Sequence, residues 1–512
     1  MRKRSATLAA ATVLAAASLA LAGCTGGSSD DAGGTPSDVV GDVLNVGVIL
    51  VPAQWDPAKF DWTEQLELQQ AAYDTLIHLQ PDGTYAPGLA TEWSYTSPTE
   101  FTLTLREGVT FSDGTALDAA AVKANLDHAR TTTGPRTSQL AAISEVQTDG
   151  DLGVTIDLST PNPDLPLILS MAMGMMASPA ALAAGTLDTA PVGAGPYVLD
   201  AAQTVVNDHY TFTKNPDYWD AGSIHYNSLV FKLITDYTAS LNALRSGQIA
   251  MALGQPTTAS AAEAAGDTVV TTPGSVVSLV LQDREGQLVP ALGDVRVRQA
   301  MNYAIDRAAL AASLLPGSPT SQQFQKGTSM WDEAINDTYD QDLDKAKSLM
   351  ADAGYANGFD LPIGSFPLND PALQVIASDL AKIGITVQIQ SVPIADYVTL
   401  RSSTQWPGWI AQIVGTGSGY LDALNVLPPD SRFNPFHSTN ADITAGLTAI
   451  ATATGPDSPA YAQLAEAVQD QAWFLPVVQI DRYYYYDPKV VSGVQWTPGQ
   501  AVPFIYTWAP AS

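Results

Sequence analysis

The chain is short of cysteine, histidine and basic side chains: 512 residues hold one Cys, five His and 23 Lys plus Arg. One cysteine closes no internal disulfide. The histidines, His78, His128, His209, His225 and His437, lack the short spacings of a metal-ligand set, so each reads as solvated or singly hydrogen-bonded and no metal site is expected. Twenty-three basic against 52 acidic residues leave a net charge of −29, which argues against a nucleic-acid partner. Beyond that, such a charge speaks mainly to solubility. G-x-S-x-G, H-E-x-x-H and G-x-x-x-x-G-K-[ST] are all absent, so neither a catalytic residue nor a cofactor is expected. Gly415-Thr416-Gly417-Ser418-Gly419 imitates a phosphate loop, but no lysine follows it. With 52 carboxylates, an Asp/Glu pair says nothing about acid–base work. Met171, Met173, Met175 and Met176 fit pliable core packing better than thioether ligation.

What is present begins with Met1-Arg2-Lys3-Arg4, followed over residues 5–22 by uncharged Ala, Leu, Val, Ser and Thr. A basic start and a short apolar run form the pattern of a secretory signal, expected over residues 1–23. A membrane anchor is the alternative, although an alanine-rich run suits it poorly. Leu21-Ala22-Gly23-Cys24 resembles the lipobox of bacterial lipoproteins, which implies lipidation of Cys24 and attachment to a membrane's outer face. Arg2, Lys3 and Arg4 are three of the 23 basic residues, so loss of the leader takes the net charge from −29 to −32. Residues 24–42, rich in Gly, Ser and Asp, read as a flexible linker.

The remainder is long enough for two or three domains and mixes helix and strand signals. Residues 43–50 form an apolar run expected as a buried strand, and 101–106 alternate with period two. Gln80-Pro81-Asp82-Gly83-Thr84 is turn chemistry between two short strands. Asp118 and Asp294 are placed to cap helices, the second presenting Val297, Ala300, Met301, Ala304 and Ile305 on one face. Residues 372–383 read as a helix stopped by Gly384 before a strand over 385–390, and 241–246 with 249–253 as a second such unit. These are α/β domains with mixed sheets.

Six motifs in order then carry a resemblance. Tyr73 to Arg130, Val192-Gly193-Ala194-Gly195-Pro196-Tyr197, Asn215-Pro216-Asp217-Tyr218-Trp219, the helix 295–307 with its Val295-Arg296-Val297-Arg298 and Ala304-Ile305-Asp306-Arg307, residues 344–355, and Leu380 to Ile389 together resemble the extracytoplasmic solute-binding proteins of family 5, the peptide and nickel binders of ABC importers. The resemblance implies a type II periplasmic-binding-protein fold: two lobes joined by a hinge, with an extra domain on the first. Domain I would be residues 43–75, 190–270 and 478–512, domain II 76–189, and domain III, the second lobe, 271–477. It implies a monomer whose partners are a small solute and an ABC permease and ATPase complex.

The solute expected from the resemblance is an oligopeptide; an oligosaccharide or other neutral solute is the alternative, with nickel or haem behind them and a secreted enzyme as the rival from another class. In peptide-binding relatives a carboxylate in a W-x-A-D-Y-x-D-P-like segment receives the ligand's amino group. The matching segment here is Ser418-Gly419-Tyr420-Leu421-Asp422-Ala423, so Gly419 replaces that carboxylate while Asp422 matches the second one; Thr416, Gly417, Ser418, Gly419, Tyr420 and Asp422 are the expected ligand contacts. Trp406 and Trp409 are expected either to cover a ligand or to pack in the core. Tyr483-Tyr484-Tyr485-Tyr486 reads as a strand with alternate rings on opposite faces, either with Tyr483 and Tyr485 lining the cleft or with both faces packed. Trp55 is expected where the family's first loop enters the cleft.

Overall fold

Two unusually long strands, Thr268–Leu281 and Phe474–Tyr486, run antiparallel through the centre of the molecule. The computed structural model describes residues 41–60, 65–313, 317–453, 455–497 and 499–511; the expected signal, lipidation at Cys24 and most of the linker lie outside them. The two strands are rich in β-branched and aromatic residues, as a pleated and largely covered surface favours.

They sit in one mixed sheet of eleven strands. On one side of the pair come Gly408–Val414, Phe359–Ser365 and Ile385–Ser391. On the other come Met251–Gly254, Gly41–Val48, Tyr226–Leu233, His209–Lys214 and Tyr197–Leu199. Phe359–Ser365 runs parallel to Ile385–Ser391, and Gly41–Val48 parallel to Tyr226–Leu233. Parallel neighbours need crossovers, and the helices Asp370–Ala381 and Tyr237–Arg245 are two of the connecting elements. The two central strands do not pair evenly: their register shifts between Pro273 and Ser275, and again between Val277 and Ser278. Proline donates no ladder hydrogen bond, and such irregularities bend a sheet.

Helix starts follow the sequence chemistry. Asp118 caps Ala119–Thr131 by accepting from Ala121 N, and Asp294 caps Val295–Ala304 by accepting from Arg296 N. Gly384, at φ +89°, turns the chain after Asp370–Ala381 into the next strand. A separate four-stranded antiparallel sheet, Ala90–Ser97, Glu100–Leu105, Gly153–Leu158 and Ile143–Asp149, forms the extra domain together with the helix Ala119–Thr131. Asn125 fastens this helix to Ala177 by exchanging both amide bonds, at 2.8 and 2.9 Å. All four methionines between 171 and 176 are buried core residues. A second core packs Val297, Ala300, Met301, Leu373 and Leu380 on Leu279, Leu361 and Ile410.

Candidate functional site

Three segments distant in sequence meet at one seam. Residues 415–422 leave the strand Gly408–Val414 and enter the helix Gly419–Val426. Ser418 is that helix's N-cap, its Oγ accepting from Leu421 N at 3.1 Å. The same hydroxyl donates to Asp164 of the extra domain, and the Tyr420 hydroxyl donates to Pro161 O at 3.4 Å. The third segment contains Gly499, whose φ is +82° and which lies against Gly417 and Thr416 so closely that no side chain fits between them. These glycines are required by close backbone approach.

Asp422 accepts from Thr416 N at 2.7 Å and is 7% exposed. Burial pushes its carboxyl up to about 7 against the Thr416 hydrogen bonds; the Asp164 charge adds to the rise and Arg136 opposes it. Burial likewise raises Asp164 to about 6, opposed by hydrogen bonds from Ser418 and Leu421. Asp422 is the more deeply covered of the two.

Gln323 and Gln325 line the same small cavity as Asp422. The Gln325 side chain lies against Gly415. Gln323 accepts from Ser278 Oγ at 2.7 Å, and Gln479 on the central strand accepts from Lys326 N at 2.7 Å. Elsewhere, the helix Leu66–Ala72 buries Glu67, Gln69 and Gln70 completely or nearly so. Gln70 Oε1 accepts from Ile505 N at 3.2 Å, and the Tyr484 hydroxyl donates to Glu67 at 3.2 Å. Among the described residues both amide atoms of Gln69, Nε2 of Gln70, Nε2 of Gln325 and Oγ1 of Thr272 are buried without a hydrogen-bond partner. A buried polar atom left unpaired costs roughly 1–3 kcal/mol, so a set of this size needs a physical reason. The orphaned groups lie on the helix Leu66–Ala72, on the central strand Thr268–Leu281 and beside Gly415, and they mix donors with acceptors.

The structure brings Thr416, Gly417, Ser418, Gly419, Tyr420 and Asp422 together and separates them from the aromatics expected beside them. Trp55 is a core residue, 3% exposed, set edge-on to Tyr210 and Phe212 at 6.2 and 6.0 Å. Trp409 has no exposure at all: its ring covers Gly364 and meets Tyr397 edge-on at 5.6 Å, so the packing alternative holds for it. Trp406 is half-buried against Trp409, with centroids 5.0 Å apart. Tyr485 is 2% exposed; it fills the space over Gly254 and donates to Gln255 O at 2.6 Å, in a small core shared with Tyr483 and the helices Tyr237–Arg245 and Pro256–Ala265. Tyr484, on the opposite face, is the ring that reaches toward the first-lobe amides through Glu67. The sequence reading missed Asp164, Gln69, Gln70, Gln325 and Thr272. Asp164 is one of many carboxylates, and the amides follow no motif; only their joint burial singles them out.

Position 419 is sterically closed. A Cβ there would lie 2.8 and 2.9 Å from Met330 Cγ and N, and closer still to Ser329 Oγ. Gly419→Asp is therefore expected to lose about 1–3 kcal/mol of stability by overpacking, measured by urea denaturation, and to gain no affinity for peptides with a free amino terminus. A stable variant with raised affinity for such peptides would show that the site has room for the carboxylate.

Comparison with known proteins matches residues 84–435 to the model described as bacterial extracellular solute-binding proteins, family 5 middle. The glutathione-binding protein GsiB of Salmonella paratyphi A is 28% identical over 393 residues, covering 73% of this chain and 75% of that protein. The ABC transporter substrate binding protein CtaP of Listeria monocytogenes superposes with a TM-score of 0.77 at 20% identity, over 92% of this chain and 100% of that one. DppA of Helicobacter pylori, solved with the peptide STSA, superposes at 0.73 and 19% identity, over 93% and 99% of the two chains.

Proposed function

The chain belongs to the bacterial extracellular solute-binding proteins of family 5, the substrate-binding proteins of ABC transporters, and from that membership we propose that it captures short peptides between its lobes and delivers them to a permease and ATPase for import. The observation that carries the peptide reading is the orphaned amide set, Gln69, Gln70 and Gln325 with Thr272, which offers donors and acceptors of the kind a peptide backbone pairs with. A relative named for glutathione and a structural neighbour solved with a peptide support the same reading. The burial of Trp55 and Trp409 weakens the oligosaccharide alternative, which drew on tryptophan faces for stacking.

In this reading residues 43–75, 190–270 and 478–512 form the first lobe, 76–189 the extra domain and 271–477 the second lobe. The boundaries near 270 and 477 fall inside the two central strands, and the irregular pairing at Pro273–Ser275 supplies the bend through which the lobes close. The protein acts as a monomer, held outside the cell by a lipid on Cys24.

Because position 419 is closed and Asp422 is engaged by Thr416, binding does not require a free amine. Acetylating the amino terminus of a bound peptide is expected to change affinity less than about tenfold, or ~1.4 kcal/mol, in calorimetry on matched pairs, with compaction on binding seen by small-angle scattering. A hundredfold loss on acetylation that disappears in Asp422→Asn would instead make Asp422 the amine anchor. Binding of an oligosaccharide and of neither peptide would overturn the peptide reading.

A further inference from the structure

Four buried arginines, Arg284, Arg298, Arg307 and Arg401, form no ion pair among the described residues, and two of them, Arg284 and Arg401, keep a donor without a partner. Arg284 is 4% exposed and Arg401 7% exposed. Arg284 gives Nε to Leu281 O at 2.7 Å and Nη2 to Phe433 O at 3.3 Å, and stacks on Trp473 at 4.1 Å from the ring centre. Arg401 stacks on the ring of Phe433 at 4.7 Å and on Tyr397 at 5.0 Å, and gives Nη1 to the Tyr397 hydroxyl at 3.4 Å. One donor of each is left over: Nη1 of Arg284 and Nε of Arg401 are buried without a partner.

The two arginines belong to one cluster. Gln282, two residues before Arg284, donates Nε2 to Arg401 O at 2.9 Å. Phe433 touches both guanidiniums, one through its carbonyl and one through its ring. The next residue, Asn434, exchanges two hydrogen bonds with Ser438 at 2.9 and 3.0 Å, and the Ser438 hydroxyl is itself buried and unpaired. Asp283, the acidic residue between Gln282 and Arg284, is not a counter-ion: its oxygens accept from the backbone N–H groups of Gln287, Leu288 and Val289 at 2.6–2.8 Å. Arg298 adds a further positive charge beside Arg284; burial first, and then that charge, lower Arg284 to about 9. Arg432, exposed at the surface, stacks on Phe433 at 5.1 Å.

We propose that the cluster of Arg284, Arg401 and Ser438 around Phe433 is an anion-binding site of the second lobe, separate from the solute seam, that takes a small monovalent anion of halide or formate size. A buried cation is stable only when paired and hydrogen-bonded, and here two leftover guanidinium N–H donors and a hydroxyl are buried on residues linked through Gln282, Phe433 and Asn434. Arginine suits the role because it stays charged when buried and donates in fixed directions. The donors belong to side chains at most 7% exposed, so the proposed anion is one of a few atoms rather than a peptide or a phosphate ester.

Two measurements on the full chain test this. In crystals soaked in bromide, an anomalous peak is expected within hydrogen-bond distance of Arg284 Nη1 or Arg401 Nε. In solution, wild type is expected to show a saturable rise in its thermal midpoint with sodium bromide or formate over gluconate at equal ionic strength, a rise that Arg401→Met abolishes and Ser438→Ala reduces. Ordered water in place of bromide at both arginines, or equal midpoints in bromide, formate and gluconate, would overturn the site. The crystallographic arm uses the unmutated protein, so a variant that fails to fold does not remove the test.

Discussion

Asp74→Asn should destabilise the protein by about 3–5 kcal/mol, the range for breaking a buried charge network by removing one member. Asp74 is wholly buried and accepts four hydrogen bonds: from Thr75 N at 2.7 Å, the His78 ring at 2.6 Å, the Tyr218 hydroxyl at 2.9 Å and Trp219 Nε1 at 2.7 Å. An amide at this position turns one acceptor into a donor facing donors. The network is closed from outside by Tyr506, stacked on His78 at 4.9 Å, and by Arg106 over Trp219 at 3.7 Å. It joins the end of the helix Leu66–Ala72 to the Asn215–Trp219 motif, which explains why these aromatic residues occur together in the sequence. A denaturation midpoint within experimental error of wild type would show that the network is dispensable.

The pH dependence of that network is bounded on both sides. Burial pushes Asp74 up, but the His78 charge and the hydrogen bonds from His78, Trp219 and Tyr218 outweigh it, and the result lies below the ordinary 3.8. Its contribution is present above 3.8 and lost as pH falls through the lowered value. Burial pushes His78 down, but the charge and hydrogen bond of Asp74 prevail and hold it above 6.5. Its contribution is complete below 6.5 and lost as pH rises through the raised value. The pair therefore stabilises fully between the ordinary values of 3.8 and 6.5 and loses that stability progressively outside them, and Asp74→Asn should flatten both edges.

The seam behaves in the opposite sense, and this is the second large effect expected. Asp422 at about 7 and Asp164 at about 6 stand above the ordinary 3.8. From 3.8 upward the unfolded chain has lost protons that the assembled seam still holds, so the seam loses stability as pH rises toward about 7 and levels off above it. Asp422→Asn keeps an acceptor for Thr416 N and removes the ionisation. The variant should be more stable than wild type at pH 8, by a margin that shrinks as pH falls and vanishes below 3.8. Since Ser418 and Tyr420 tie the second lobe to the extra domain here, the same variant should shift scattering profiles toward the compact form at pH 8. Equal pH profiles for the two proteins would mean that Asp422 is ionised in the assembled seam.

Local elements were readable because local rules govern them. Aspartate caps at 118 and 294, the glycine stop at 384 and the period-two strand near residue 101 need only neighbouring residues to act. The class of the protein was readable as well, from turn glycines, helix faces and the Asn215–Trp219 motif in a fixed order. Aromatic residues were the least legible. Trp409 and Tyr485 have the composition of ligand contacts, yet Gly364 and Gly254, each distant in the chain, open the spaces that bury them. A ring goes where a facing residue leaves room, and pairing across a sheet determines that.

The sequence by itself determined that this is an α/β protein with strand and helix units in a definite order, without disulfides or a catalytic motif, and that position 419 carries no carboxylate. Tertiary structure alone decided which polar groups share one seam. Asp164 and Ser418 are 254 residues apart, as Glu67 and Tyr484 are 417 apart, and each pair meets only because the central strands return the chain to the same place. It also decided their chemistry, since an aspartate in solvent and the same aspartate under a second lobe differ in desolvation, which no neighbour in sequence sets.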